Sequence, residues 1–342
     1  MKFSKKFIFY ISFIILLLSL FIYFYDKIYN YKKYFRNYNA NYPTSKNFEL
    51  NYSGECGKIF KYIPNNSKDY VFISFKYTPP KTYKRKRKIK RILNTISKII
   101  DSYKNSIPNS KIICFMPIEA AHENLIKILK KNNIEVILEK GYDDWHIVNS
   151  RFFMIKNYLE KNKGKINRIM MADLADIFVF GDIFSTFNEN DLIMNEECRE
   201  FERKNDKNCL VFGEQKLAVQ WMKNSFPNEQ NKINNLINKR VFNINAGLIL
   251  GGYNKTLQFL NILLEDFDLK KKGEHGYDQS SLLLKYYDDK FKDLNITIEP
   301  CSQRMCLDSV SLLSNKNTTK IFYPNKCSPV AIHKGYPKSW SK

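Results

Sequence analysis

Apolar residues along this chain fall into distinct patterns. Phe7–Tyr25 (FIFYISFIILLLSLFIYFY) carries no charge and follows Lys2, Lys5 and Lys6. A helix rises ~1.5 Å per residue, so about 20 apolar residues cross a ~30 Å hydrocarbon core. The segment predicts a single transmembrane helix. A cleaved signal peptide would have a shorter apolar core followed by small residues. Tyr23, Phe24, Tyr25 and Asp26 offer no such site, so a retained signal anchor is the better reading. Further on, continuous apolar runs at Tyr70–Phe75, Lys111–Met116, Ile134–Leu138 and Ile166–Ala172 predict strands buried on both faces. Between them lie segments with apolar residues at helical spacing: Lys86–Tyr103, Glu119–Lys131 and Trp145–Glu160.

Strands alternating with helices predict parallel βαβ units, hence an α/β fold whose ligands bind beyond the carboxyl ends of the strands. The second half is more mixed. Cys209–Phe212 and Phe242–Leu250 predict strands, Lys255–Phe267 and Gln279–Tyr287 helices, and the segment from Ile321 a strand that turns irregular. The resulting organisation is a basic head over 1–6, the membrane anchor over 7–25, a polar stem over 26–66 and a folded domain over 67–342. No internal repeat interrupts it.

Composition changes this picture little. The 342 residues suffice for one large domain. The net charge of +22, from 56 Lys+Arg against 34 Asp+Glu, fits an anionic partner or a Lys-rich composition equally well. The basic stretch Lys81–Arg91 (KTYKRKRKIKR) leads into a helix with an apolar stripe. With a membrane anchor present, it reads as a solvated or headgroup-facing patch and not as a nucleic-acid site. There is no Cys-x-x-Cys pair among the seven cysteines, which disfavours zinc. Cys114 sits in an apolar run and reads as core. The others have the option of pairing in an oxidising compartment, and an odd number leaves at least one over. Asn51, Asn65, Asn254, Asn295 and Asn317 begin Asn-x-Ser/Thr sequons, which permit a lumenal location in an Asn-rich chain.

Candidate chemistry begins at Arg168–Phe184 (RIMMADLADIFVFGDIF), where an apolar strand runs into Asp173, with Asp176 three residues on. Two hard oxygen donors at a strand's carboxyl end suit Mn²⁺ or Mg²⁺. The same pair also suits a helix cap plus a solvated acid. Asp182 reads as a turn residue. Phe242–Gly252 places Asn245 and Gly247 on a strand with glycines at a bend. Gly276-Tyr277-Asp278-Gln279 puts Asp278 and Gln279 at a helix start, where Asp278 serves as a cap or as chemistry. Near the end come His333 and Lys338, in His-Lys-Gly-Tyr-Pro-Lys-Ser-Trp. Glu214 follows a predicted strand and reads as acceptor-facing or as an ordinary surface acid. No GxGxxG or GxxxxGK[ST] is present, which disfavours a dinucleotide fold or a P-loop.

The order of these blocks resembles the GT-A-fold nucleotide-diphospho-sugar glycosyltransferases, with features similar to the glycogenin-like, family-eight enzymes. Asp173-Leu174-Ala175-Asp176 resembles their Asp-x-Asp block, and Asn149-Ser150-Arg151-Phe152 resembles the helix start preceding it. The terminal His-x-Gly-x-x-Lys-Ser-Trp is similar to their His-x-x-Gly-x-x-Lys-Pro-Trp, one residue shorter. The resemblance covers residues 69–340. It implies a GT-A-like, Rossmann-type mixed sheet flanked by helices over 67–342. It also implies sugar transfer to a hydroxyl on a glycan, protein or lipid. By the same resemblance Asp173, Asp176 and His333 hold Mn²⁺ or Mg²⁺, Asp176 being the safer ligand. Asp173, Asn245, Gly247, Gln279 and Lys338 bind the nucleotide sugar, Lys338 as phosphate clamp. Asp278 is the candidate base if the reaction inverts, and Glu214 the other catalytic candidate. With the anchor, a type II protein of the Golgi or endomembrane system is expected, or of the cell envelope if the source is bacterial. The rival readings are a catalytically inactive adaptor or glycan-binding membrane protein, and a sugar nucleotidyltransferase, whose Gly-rich loop after the first strand is missing from Lys76–Lys81.

Overall fold

The computed structural model describes residues 48–76, 83–174, 176–197, 211–307 and 321–333, with backbone alone for 83–91. All of them fall within one unit, 43–342. The predicted span Phe7–Tyr25 and Lys338 lie outside these residues. Among the described residues no helix is long and apolar enough to cross a membrane.

The first half follows its apolar pattern. Strand β1 (Asp69–Ser74) leads to helix α1 (Tyr83–Ser106), then β2 (Lys111–Pro117), α2 (Glu123–Lys131), β3 (Glu135–Glu139), α3 (Ile147–Lys161) and β4 (Arg168–Asp173). These four strands pair in parallel, in the order β3-β2-β1-β4. β1 is buried at every position, as a central strand covered on both faces should be. On one face Tyr70, Phe72 and Phe115 pack with Tyr158 of α3 at ring separations of 5.6–6.4 Å.

Short elements follow: β5 (Ile177–Val179), β6 (Leu192–Glu196), α4 (Lys216–Ser225) and α5 (Gln230–Asn238). Then come β7 (Ile244–Gly252), α6 (Tyr253–Leu264), α7 (Tyr277–Tyr287), β8 (Thr297–Glu299), β9 (Met305–Leu307) and β10 (Ala331–His333). β7 lies antiparallel between β4 and β6, and β8 is parallel to β6. The seven-stranded sheet therefore reads β3-β2-β1-β4-β7-β6-β8, with β7 alone reversed. The result is a mixed α/β sheet flanked by helices. A second sheet, β5-β10-β9, stands beside it.

One expectation is corrected. The strand predicted over Cys209–Phe212 does not form in its described part. Val211 makes one isolated bridge to Phe242, and Phe212–Glu214 coils into a 3₁₀ turn. A short apolar run does not distinguish a strand from a buried turn, and here Val211 and Phe212 are both buried. Residues 48–66 form a strap that contacts the segment 326–329. Cys56 is disulfide-bonded to Cys327. The Asn51 amide donates to Ser328 Oγ at 2.7 Å, and the Tyr52 hydroxyl to Pro329 O at 2.7 Å. A second disulfide joins Cys301 and Cys306, while Cys114 is a free, buried thiol, as its apolar run predicts.

Arg168 pins this strap to the sheet. It is 5% exposed, pairs with fully buried Asp69 through Nε (2.9 Å) and Nη2 (2.6 Å), and donates to the carbonyls of Ile63 and Phe184. Removing one partner of such a pair strands a buried charge and costs about 3–5 kcal/mol. Arg168→Met is therefore expected to lower the free energy of unfolding by that amount, read as a lower urea midpoint with the m-value unchanged. The double variant with Asp69→Leu should cost clearly less.

Candidate metal centre and active site

The centre assembles where the two sheets meet. After Arg168, β4 is apolar from Ile169 to Ala172 and ends on Asp173, at the carboxyl edge of the parallel strands. The chain then turns, with the Asp176 amide donating to Asp173 O at 3.2 Å, and enters β5. β10 runs antiparallel to β5 and pairs His333 with Ile177, the residue after Asp176. One ligand atom each from Asp173, Asp176 and His333 consequently lie within 4.8 Å of one another. His333 is 2% exposed, and both aspartates are half-buried.

β7 supplies the floor. Its register against β6 jumps from Met194↔Ile249 to Asn195↔Asn245, so residues 246–248 bulge beside the end of β4. A methyl group at Gly247 would stand 2.5 Å from His333 Cε1 and 2.8 Å from Asp173 Oδ2. The missing side chain is thus the space between acids and imidazole. Two carboxylates and a buried imidazole around a cradle that a Cβ would fill suit Mn²⁺, with Mg²⁺ the harder alternative.

Arg151 fixes this arrangement from behind. It lies in the first turns of α3, is 5% exposed, and donates through Nη1 to Asp173 Oδ1. Its Nη2 donates to Ala246 O at 2.8 Å and to Asp278 Oδ2 at 2.9 Å. Asp173 therefore has one oxygen held by Arg151 while the other faces the Gly247 cradle. Burial pushes the Asp278 carboxyl up, against the opposing pull of Arg151. Asn149 ties the helix starts together: its amide donates to Lys272 O and Glu274 O, and its oxygen accepts the Asp278 amide at 3.2 Å. Fully buried Tyr103, on α1, has its phenol pushed upward by burial and by the charges of Asp173 and Asp176, so it stays protonated.

Beside the cradle, Glu197 gathers amides. Its oxygens accept from Asn243 Nδ2 (2.9 Å), Asn245 Nδ2 (3.0 Å) and Gln279 Nε2 (3.2 Å). Asn245 Oδ1 accepts the Gly247 amide at 2.7 Å. Asn245 is thus anchored at both ends, and Glu197 links it to Gln279. Glu214 stands apart on the surface, in an ion pair with Arg240 at 2.7 Å.

A ring ladder borders the start of α7. His275 stacks between Trp221 (4.8 Å) and His146 (4.7 Å). Gly276, at φ +82°, lies against Trp221, where a Cβ would meet the indole at 2.5 Å. His146 caps α3, its ring nitrogen accepting the Val148 amide at 3.4 Å. Burial, with the charges of His275, Lys76 and Arg151, lowers its pKa from 6.5 to about 4.

Of the residues proposed from sequence, Asp173, Asp176, His333, Asn245, Gly247, Asp278 and Gln279 come together. Glu197, Tyr103 and the Trp221–His275–His146 ladder were not singled out. For Glu197 a signal existed: Leu192–Glu197 is an apolar run ending in acids, as β4 is.

No family model matches this chain, and no curated protein matches it either. Among solved structures, the chain is similar to that of an active-site mutant of LgtC. The identity is 10%, with 79% of this chain and 88% of that chain covered, at a TM-score of 0.40.

Two outcomes follow from the geometry. Gly247→Ala fills the cradle and is expected to weaken Mn²⁺ binding about 10–100-fold by calorimetry, the scale of lost support around a metal. His146 binds protons more readily unfolded than folded, so stability should rise with pH between about 4 and 6.5 and be lost as pH falls through that window. His146→Asn keeps a capping acceptor without the titration. Its melting temperature should vary less with pH across that interval than that of the unaltered protein.

Proposed function

We propose that this chain is a glycosyltransferase that moves a sugar from a nucleotide-diphosphate donor to an acceptor hydroxyl on a glycan, protein or lipid, assisted by Mn²⁺ or Mg²⁺. The observation that carries the reading is the Asp173–Asp176–His333 cluster around the Gly247 cradle. It sits at the carboxyl edge of an α/β sheet, where such folds bind ligands. Local charge supports it: Asp173, Asp176, Asp278 and Glu197 converge, and Arg151 is bonded to two of these acids, Asp173 and Asp278. A divalent ion, when bound, offsets the charge that grows on the leaving diphosphate.

The protein's own groups divide the remaining work. Arg151 holds Asp173 and Asp278 in fixed rotamers, which preorganises both before substrate arrives. Glu197 orients the amides of Asn245 and Gln279, whose remaining hydrogens and lone pairs are the candidates to meet sugar hydroxyls. If the reaction inverts, Asp278 takes the acceptor proton, a role suited by a carboxyl held above its ordinary range. Lys338 is the candidate clamp for the diphosphate. Glu214, engaged by Arg240, is assigned no step. The apolar span Phe7–Tyr25 and the two disulfides support a domain held on the non-cytoplasmic side of an endomembrane or cell-envelope membrane.

The test is a nucleotide-sugar panel assayed for hydrolysis and transfer with Mn²⁺, Mg²⁺ or chelator. Activity should require the ion, and Asp176→Ala should lose about 10²–10³-fold, the scale for removing one charge-stabilising group. Equal turnover by Asp176→Ala and the unaltered protein would sink the reading.

A further inference from the structure

The sequons differ sharply once folded. Asn65 is nearly buried, with both ends of its amide in use: Nδ2 donates to Asp182 Oδ2 at 3.0 Å, and Oδ1 accepts the Asn109 amide at 2.8 Å. Asn51 Nδ2 donates to Lys326 O at 2.9 Å, next to the Cys56–Cys327 disulfide. A glycan on either nitrogen would break contacts that hold the strap in place. Asn254 is exposed, but it lies inside α6, and the hydroxyl-bearing Thr256 of its sequon is fully buried.

Asn295 is different in each respect. It occupies the turn between the 3₁₀ helix Lys292–Leu294 and β8, at φ +50°, a conformation Asn adopts more readily than most residues. Both Asn295 and Thr297 are exposed, while Ile296 between them is half-buried and fixes the turn. Among the described residues no hydrogen bond engages the Asn295 amide. β8 runs parallel to β6 with Asn195 opposite Glu299, so it leads toward the active-site edge and Asn295 sits at the opposite end. A bulky group there leaves the cradle open. Among the described residues β8 is an outermost strand of the main sheet, and such a group would also shield its edge against pairing with another chain.

We propose that Asn295 is an N-glycan attachment site, the modification being made as the chain enters an oxidising compartment. The two disulfides point to the same compartment independently of any catalytic role. In the step itself, the Asn295 amide nitrogen bonds to the anomeric carbon of a lipid-diphosphate-linked oligosaccharide. The bond from that carbon to the diphosphate oxygen breaks, and the lipid diphosphate leaves with the electron pair. The amide gives one proton to the transferring enzyme's base. Hydroxyl-bearing Thr297 completes the acceptor motif.

The full chain, expressed through a eukaryotic secretory pathway, tests this by peptide mass spectrometry with and without amidase release of N-glycans. The Asn295 peptide should be occupied in most molecules. Asn295→Gln and Thr297→Ala should each abolish that occupancy and speed gel migration by one glycan, with the Cys56–Cys327 crosslink retained. A bare Asn295 in chains that carry the crosslink overturns the proposal, and so does a bare Asn295 with Cys56 and Cys327 both recovered as thiols. The readout needs no enzymatic turnover, so it stands or falls apart from the glycosyltransferase reading.

Discussion

Three residue pairs between β5 and β10 hold the candidate centre together. Each strand is too short to be stable by itself. Their pairing survives because α1 clamps the outer side: the Ser102 hydroxyl accepts the Val179 amide at 3.2 Å, and the Ser106 hydroxyl donates to Val179 O at 2.9 Å. β9 then covers the other side of β10. Without that small sheet, Asp176 would end a loop and His333 would belong to a distant segment. With it, an imidazole from near one end of the chain is delivered to two carboxylates from its middle. The main sheet provides the acid at the tip of β4 and the bulge in β7, and the small sheet brings the remaining donors to them.

The buried polar groups around the centre explain why the cluster is tolerable to the fold. Desolvating a carboxylate is expensive unless its oxygens are bonded. Asp278 and Asp173 share one guanidinium, and Glu197 has amide donors on both oxygens. Such bonds rigidify a site, and here Arg151 Nε is the guanidinium nitrogen left buried without a hydrogen bond. They also explain a division visible in the residues. Asp278 is locked by Arg151 and Asn245 by Glu197, whereas Asp173 and Asp176 keep half-exposed faces toward the cradle. The locked set positions, and the open set is left to bind.

Much of this was legible in the residues. β1 to β4 are long enough and apolar enough to be seen, and their alternation with amphipathic helices points to a parallel sheet. Asp173 and Asp176 stand out because an apolar run stops on an acid. What stayed hidden is what depends on distance in space. β5, β9 and β10 are three residues each, below the length at which periodicity has meaning. The reversal of β7 leaves no mark, since a strand buried on both faces looks alike in either direction. Arg151 had only its local motif to recommend it, because its partners come from three different elements. Glu214 matched a strand-then-acid pattern, but its strand is a turn and its carboxylate points to Arg240.

The Cys56–Cys327 crosslink sets an order of events in time. Its halves are separated by 271 positions, so during synthesis Cys56 waits for nearly the whole sheet to be made before its partner exists. His333 emerges only just after Cys327. The strap over 48–66, the small sheet and the third donor of the cluster therefore all await the same late stretch of chain, after every strand of the main sheet has been synthesised. Until then the chain carries two acids and no imidazole beside them, and Cys56 as an unpaired thiol. Completion of the carboxylate–imidazole cluster and closure of the crosslink thus both depend on the same last stretch of chain, Cys327–His333.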